Sequence, residues 1–181
     1  RGDDHISNTP KQILIYNGLG LTPPEFNHLP LILGSDKKRL SKRHGATSVL
    51  DYREAGFLAE ALFNFLALLG WNPGDERQKM SRNELIEAFD FDGVGRSGAV
   101  FDPAKLEWLN GLYVAELSRD DFEAAARDAL RSAGLWDDAY RGARRDWFLR
   151  VLALIQPRAK TFAGIPVEGR FFFQDADELD Y

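Results

Sequence analysis

The sequence predicts a mainly α fold, with α and β mixed only at the N-terminal end. Three observations carry this. Apolar residues recur at helical spacing along most of the chain. Polar capping residues open these stretches, and glycine or proline closes them. One short apolar run of strand length, Leu29 to Leu33, lies near the start.

In chain order, Thr9-Pro10-Lys11-Gln12 reads as a helix opening. Thr9 can cap, Pro10 suits the first helical position, and Gln12 can close a capping box. This helix carries Ile13, Leu14, Tyr16 and Leu19 and should end at Gly20. Pro23 and Pro24 break the chain after it, the strand Leu29 to Leu33 comes next, and Gly34 opens a basic loop. Ser48 with Asp51 is a capping-box pair, interrupted at Gly56. Leu58, Leu62, Phe65, Leu66 and Leu69 then repeat at helical spacing up to Gly70. Ser81-Arg82-Asn83-Glu84 opens a short helix to about Phe89. Residues 90–101, with Gly93, Gly95, Ser97 and Gly98, read as a loop. Asp102-Pro103 opens a helix through Leu106 and Leu109, closed by Gly111.

Ser118 with Asp121 starts an alanine-rich helix that stops at Gly134. A further helix covers about Arg144 to Gln156, with Phe148, Val151, Leu152 and Ile155 on its apolar side, and Pro157 ends it. The acidic tail Asp175, Asp177, Glu178 and Asp180 should fray. Three regions are expected: 1–47, 48–117 and 118–181. The last should be a helical unit separable from 48–115, packed through Phe122, Leu130, Phe148, Leu152 and Ile155.

Composition bounds the function. Hydrophobic residues make up 44% of 181 residues and charged ones 28%, enough to bury a core. No run approaches the ~18 apolar residues of a membrane span. There is no cysteine, so disulfides, thiolate metal sites and Cys nucleophiles are excluded, which fits a cytoplasmic setting. The chain begins at Arg1 and reads as a piece of a longer protein. Its net charge is −5, but the charge is uneven. Residues 37–43, Lys-Lys-Arg-Leu-Ser-Lys-Arg, hold five of the 23 cations. The remainder carries 18 cations against 28 anions, a net −10. One cationic loop on an acidic body reads as a local anion site.

No Gly-x-x-x-x-Gly-Lys-Ser/Thr string and no nucleophile elbow occur. The three histidines, 5, 28 and 44, are far apart and lack cysteine partners, so no metal or zinc site is expected. The basic loop remains. Arg39-Leu40-Ser41-Lys42-Arg43 can deliver an ammonium on a long stem to a polyphosphate. A cation beside a departing pyrophosphate lowers the barrier electrostatically. The alternative is a solvated basic turn, or a patch that touches RNA phosphates. Like charges in this loop, with nothing apolar except Leu40 to anchor them, should keep residues 34–45 mobile until a phosphate orders them.

Arg39-Leu40-Ser41-Lys42-Arg43 resembles the KMSKS loop of class I aminoacyl-tRNA synthetases. The segment from Arg1-Gly2-Asp3-Asp4-His5 to Thr9-Pro10 is similar to one that closes the active site of bacterial glutamyl-tRNA synthetases. Leu40 to Ala46, Tyr52-Arg53 to Gly56-Phe57, Ala61 to Leu66 and Leu69-Gly70-Trp71 match the same family. So do Phe101-Asp102 to Lys105-Leu106 and Trp108-Leu109-Asn110-Gly111. The likeness is strong over residues 1–115 and looser beyond.

The resemblance implies a glutamate–tRNA ligase. Such an enzyme joins glutamate to ATP, carried with Mg2+, and passes it from the adenylate to tRNA(Glu). It implies Lys42 as the catalytic lysine on the ATP phosphates, with Asp4 and Ile32 also at the ATP site. Arg1 is implied in glutamate binding, and Arg158 is a candidate tRNA contact. Arg39 stands where the family motif most often has Lys; both are cations. The fold implied is the tail of a Rossmann-type catalytic domain (1–47), then a tRNA stem-contact region (48–117) and the start of a helical anticodon-binding domain (118–181). The other class I signature, HIGH, is absent, so the fragment alone should be inactive. The parent is expected to be a cytoplasmic monomer with no membrane partner. Rival readings are a glutamyl-queuosine tRNA synthetase paralogue and a non-catalytic RNA-binding helical module. The continuation from 118 to 181 argues against the first. A glutaminyl enzyme of barrel type fits less well, because the last third reads as helices.

Overall fold

Three serines show how local chemistry sets the helices. The Ser48 hydroxyl accepts from the Leu50 N–H while Asp51 accepts from the Ser48 N–H, opening α2 (Val49–Glu54). Ser81 and Glu84 exchange the same pair of bonds at the start of α4 (Arg82–Ala88). Ser118 accepts from the Asp121 N–H at the head of α6 (Arg119–Ser132). Each satisfies N–H groups that a helix leaves unpaired at its N-terminus.

The computed structural model describes residues 1–41, 43, 45 and 48–174. The expected frayed tail, 175–181, lies outside them. The described chain also contains α1 (Thr9–Gly18), α3 (Ala59–Leu68), α5 (Pro103–Ala115), α7 (Arg145–Ile155), α8 (Ile165–Glu168) and α9 (Arg170–Phe173). Two short strands, β1 (Ile32–Leu33) and β2 (Ala99–Val100), complete it. The fold is thus mainly helical. No described helix is long and apolar enough to cross a membrane.

Packing divides the chain into two compact units, residues 1–45 with 66–102, and residues 46–65 with 103–181. The first unit holds the strands. β1 and β2 pair in parallel, with Ile32 opposite Ala99 and Leu33 opposite Val100. On its other edge β1 is bridged antiparallel by Arg39, so both of its edges are engaged. Trp71, Met80 and Leu85 form a small core here. Trp71 donates its indole N–H to the Asp90 carbonyl at 3.1 Å.

The second unit has the larger core. Phe122, Leu130, Phe148, Leu152 and Ile155 all lie in it, with Val151, Tyr140 and Ile165. Tyr140 stacks on Phe148 at 4.9 Å. Asn110, fully buried, accepts from the Leu58 N–H at 2.8 Å and donates to the Lys160 carbonyl, tying three separate segments.

Several expectations need correction. Val114 of α5 belongs to the same core as α6 and α7, and Gln156 donates to the Val114 and Leu117 carbonyls. Residues from 118 onward therefore do not pack apart from α5. Gly111 does not close α5, which runs on to Ala115. Its missing Cβ faces the Ala159 carbonyl oxygen at 3.6 Å, so this glycine marks close packing rather than a helix end. Part of the 90–101 loop is strand β2. Thr9 lies inside α1 rather than capping it; Asn8 holds the cap position and makes no side-chain cap bond. Leu62 and Phe65 of the Phe/Leu stripe are buried, while Leu66 and Trp108 are nearly half exposed.

Candidate functional site

Of the site residues expected from sequence, Arg1, Asp4, Ile32, Arg39, Leu40, Ser41 and Arg43 lie in the first unit. Residues 1–3 run beside Leu29 as a short parallel pair. The Leu29 N–H donates to the Arg1 carbonyl at 2.7 Å, and the Asp3 N–H donates to the Leu29 carbonyl at 2.9 Å. Gly2 is extended, and a Cβ on it would sit 2.6 Å from an Asp4 carboxylate oxygen, the movable end of a side chain. A 3-10 turn over Asp3–His5 then carries Asp4.

After β1 the chain reverses tightly. The Gly34 N–H donates to the Lys38 carbonyl at 2.8 Å, and the Lys38 N–H to the Asp36 carboxylate at 2.9 Å. Lys37 takes a positive φ of 60° in this turn, an uncommon conformation for a residue with a side chain. The return stretch lies along β1, where the Leu40 N–H donates to the Ile32 carbonyl at 2.9 Å. The turn therefore joins Ile32 and the Arg39–Leu40 stretch by main-chain hydrogen bonds.

Charge then links the loop to the first segment. Arg39 pairs with Asp4 at 3.1 Å, and Arg43 with Asp36 at 3.4 Å. Exposed pairs of this kind contribute about 0–1 kcal/mol each. Arg39 and Arg43 thus have carboxylate partners with no phosphate present, where like-charge repulsion is expected to leave the loop's cations without partners. Lys42 and His44 lie outside the described residues. Arg1 donates to the Gln12 side-chain oxygen of α1. Arg1, Gln12, Tyr16 and Glu25 line an open cleft of about 510 Å³. Arg158 belongs to the second unit, is exposed, and its N–H donates to the Ile155 carbonyl at 2.9 Å.

Two residues of this neighbourhood were not legible as site residues in the sequence. Gln12 reads as a capping residue but engages Arg1. His28, set aside for want of metal partners, bonds Thr9 and Gly2 through its two ring nitrogens. Among the described residues no group of three or more His, Cys, Asp or Glu is placed to hold a metal ion.

Comparison with known proteins bears on this arrangement. The model of the family "tRNA synthetases class I (E and Q), catalytic domain" matches residues 1–108. The glutamate–tRNA ligase of Oleidesulfovibrio alaskensis is 54% identical over 134 residues, covering 74% of this chain and 29% of that protein. That of Syntrophobacter fumaroxidans is 44% identical over 180 residues, covering 99% of this chain and 37% of its own. Among solved structures, the glutamate–tRNA synthetase of Elizabethkingia anophelis superposes with a TM-score of 0.82 at 30% identity, covering 99% of this chain and 39% of that one. The chain thus spans about a third of the length of the curated relatives it matches. With more than half of its residues matched by the family model, the chain belongs to the class I tRNA synthetases of the E and Q type, residues 1–108 lying in their catalytic domain.

Proposed function

We propose that this chain is the KMSKS-bearing part of a glutamate–tRNA ligase. In the first step a glutamate carboxylate oxygen attacks the α-phosphorus of ATP, forming glutamyl-adenylate as pyrophosphate leaves. In the second, a hydroxyl of the terminal ribose of tRNA(Glu) attacks the activated carbonyl carbon, and AMP leaves. ATP enters as its Mg2+ complex, so the metal is part of the substrate. The parent works in the cytoplasm as a monomer.

The roles follow from residue chemistry. Arg1 offers a planar fork suited to a glutamate carboxylate. Asp4 accepts hydrogen bonds from the nucleotide, and the Ile32 backbone lies against adenine. Lys42 carries its ammonium to the β- and γ-phosphates, where negative charge grows as pyrophosphate departs. Arg39 and Arg43 set the base of that arm. Arg158 contacts a tRNA phosphate. By role, residues 1–47 carry the KMSKS-like loop and the substrate-binding segment, 48–117 meet the tRNA stem, and 118–181 begin the anticodon-binding region.

One observation carries the reading: the Arg39–Asp4 ion pair joins the KMSKS-like loop to the segment that bears Arg1. The test is aminoacylation by the full-length parent with labelled amino acids. Glutamate should be transferred to tRNA(Glu) and glutamine should not. Transfer of glutamine in place of glutamate, or glutamate bound to RNA without ATP consumption, would overturn it.

A further inference from the structure

The imidazole of His28 stands between α1 and the segment bearing Arg1 and Asp4. Its Nε2 lies 3.0 Å from the Thr9 hydroxyl, and its Nδ1 lies 3.2 Å from the Gly2 carbonyl oxygen. A carbonyl oxygen only accepts, so Nδ1 carries the proton. That holds for the neutral ring with Nε2 accepting from Thr9, and equally for the doubly protonated ring. The Gly2 contact is therefore common to both states. Thr9 is buried, and its hydroxyl is also 3.2 Å from the His5 carbonyl oxygen. The Gly2 carbonyl accepts a second bond from the His5 N–H at 3.0 Å.

Gly2 is the weak point of this segment. It is extended, at φ −74° and ψ 158°, but glycine has more backbone freedom than any other residue. Rotation of the Gly2–Asp3 peptide would swing Arg1 and Asp4 relative to each other. The Asp3 N–H on the Leu29 carbonyl and the His5 N–H on the Gly2 carbonyl already restrain this peptide, and the His28 donor adds a third restraint, from a residue 26 positions away. We propose that His28 is a positioning residue, which fixes the Gly2 carbonyl through its Nδ1–H and so holds Arg1 and Asp4 at their working separation. This rests on the functional reading above, in which Arg1 binds glutamate and Asp4 binds the nucleotide. Misplacing a binding group by an ångström is costly because the reacting atoms must meet in one geometry.

The two nitrogens can be separated by substitution. Asn places its amide nitrogen where Nδ1 lies, two bonds from Cβ. Gln places its amide nitrogen where Nε2 lies, three bonds from Cβ. In the full-length parent, His28→Asn should keep the Gly2 bond and His28→Gln should lose it. We expect His28→Gln and His28→Ala to raise KM for both glutamate and ATP by roughly tenfold, the effect of one lost hydrogen bond at an exacting position. His28→Asn should stay within about twofold, and KM for tRNA should be unchanged in all three. Thermal unfolding of each variant provides the structural control. The proposal is overturned if Asn and Gln are equally impaired, if Gln outperforms Asn, or if KM simply follows the loss of thermal stability. A wild-type parent with no glutamate-dependent activity would instead sink the functional reading, and is seen before any variant is made.

Discussion

Asn110 ties three segments that are distant in sequence, and its removal has a calculable cost. Its side-chain oxygen accepts from the Leu58 N–H at 2.8 Å, and its amide nitrogen donates to the Lys160 carbonyl. The residue is completely buried. Asn110→Ala leaves a main-chain donor and a main-chain acceptor without these partners, and the alanine methyl can replace neither. An unsatisfied buried polar group costs about 1–3 kcal/mol, so two cost about 2–6 kcal/mol before relaxation. Taking about 3 kcal/mol, the most protected amides of residues 103–174 should exchange roughly a hundredfold faster. The assay is native-state hydrogen exchange on the full-length parent, with peptide mapping. The conservative Asn110→Asp keeps an acceptor for Leu58 but turns a second oxygen toward Lys160, so it should fail to restore protection. Exchange within twofold of wild type in Asn110→Ala would refute the reasoning, and would mean that water replaces both bonds.

Gly56 has φ +82°, and a Cβ there would lie 2.6 Å from the Ala163 main-chain nitrogen and 2.7 Å from that of Phe162. Gly56→Ala should therefore cost about 1–2 kcal/mol for the left-handed backbone and about 1 kcal/mol more for the strained Phe162 N–H to Gly56 carbonyl bond. Gly134, at φ +70° with nothing within 4 Å, is the control: Gly134→Ala should lower the melting temperature less, and an equal fall would refute the packing argument. The Ser81 hydroxyl and N–H hold the Glu84 carboxyl below the usual carboxylate range. The folded value lies below the unfolded one, so the capping box stabilises α4 above the ordinary glutamate pKa of about 4.3 and is lost as pH falls through the lowered value. Protection at the first turn of α4, taken relative to the intrinsic exchange rate at each pH, should fall on acidification, and Glu84→Ala should abolish that fall.

What could be read from sequence was local. The Ser48 and Ser81 boxes and the Ser118 cap are set within four residues, and each helix opens where its capping pair predicts. The apolar stripe of α7 likewise encodes its own buried face. The errors arise where a distant residue decides. Thr9 spends its hydroxyl on His28 and His5 rather than on the head of α1. The strand β2 exists only because β1 lies beside it, and two residues carry no periodic signal. Gly111 resembles a helix stop, yet its reason is the nearby main chain at Ala159 and Lys160. The basic loop shows its charges in sequence but not its partners, since Asp4 lies at the other end of the unit's first segment. His28 had no motif to mark it; its meaning lies in which carbonyl it faces.

The most direct test of the proposed function is glutamate-dependent ATP–pyrophosphate exchange by the full-length parent in the presence of tRNA, comparing wild type with Lys42→Ala. Lys42 is assigned to a leaving group that becomes more negative in the transition state. Its loss should lower the exchange rate ~10²–10³-fold, about 3–4 kcal/mol, with little change in KM for glutamate. An exchange rate unchanged in Lys42→Ala would contradict the role given to the KMSKS-like loop, and wild-type exchange that is indifferent to glutamate would contradict the proposed function itself.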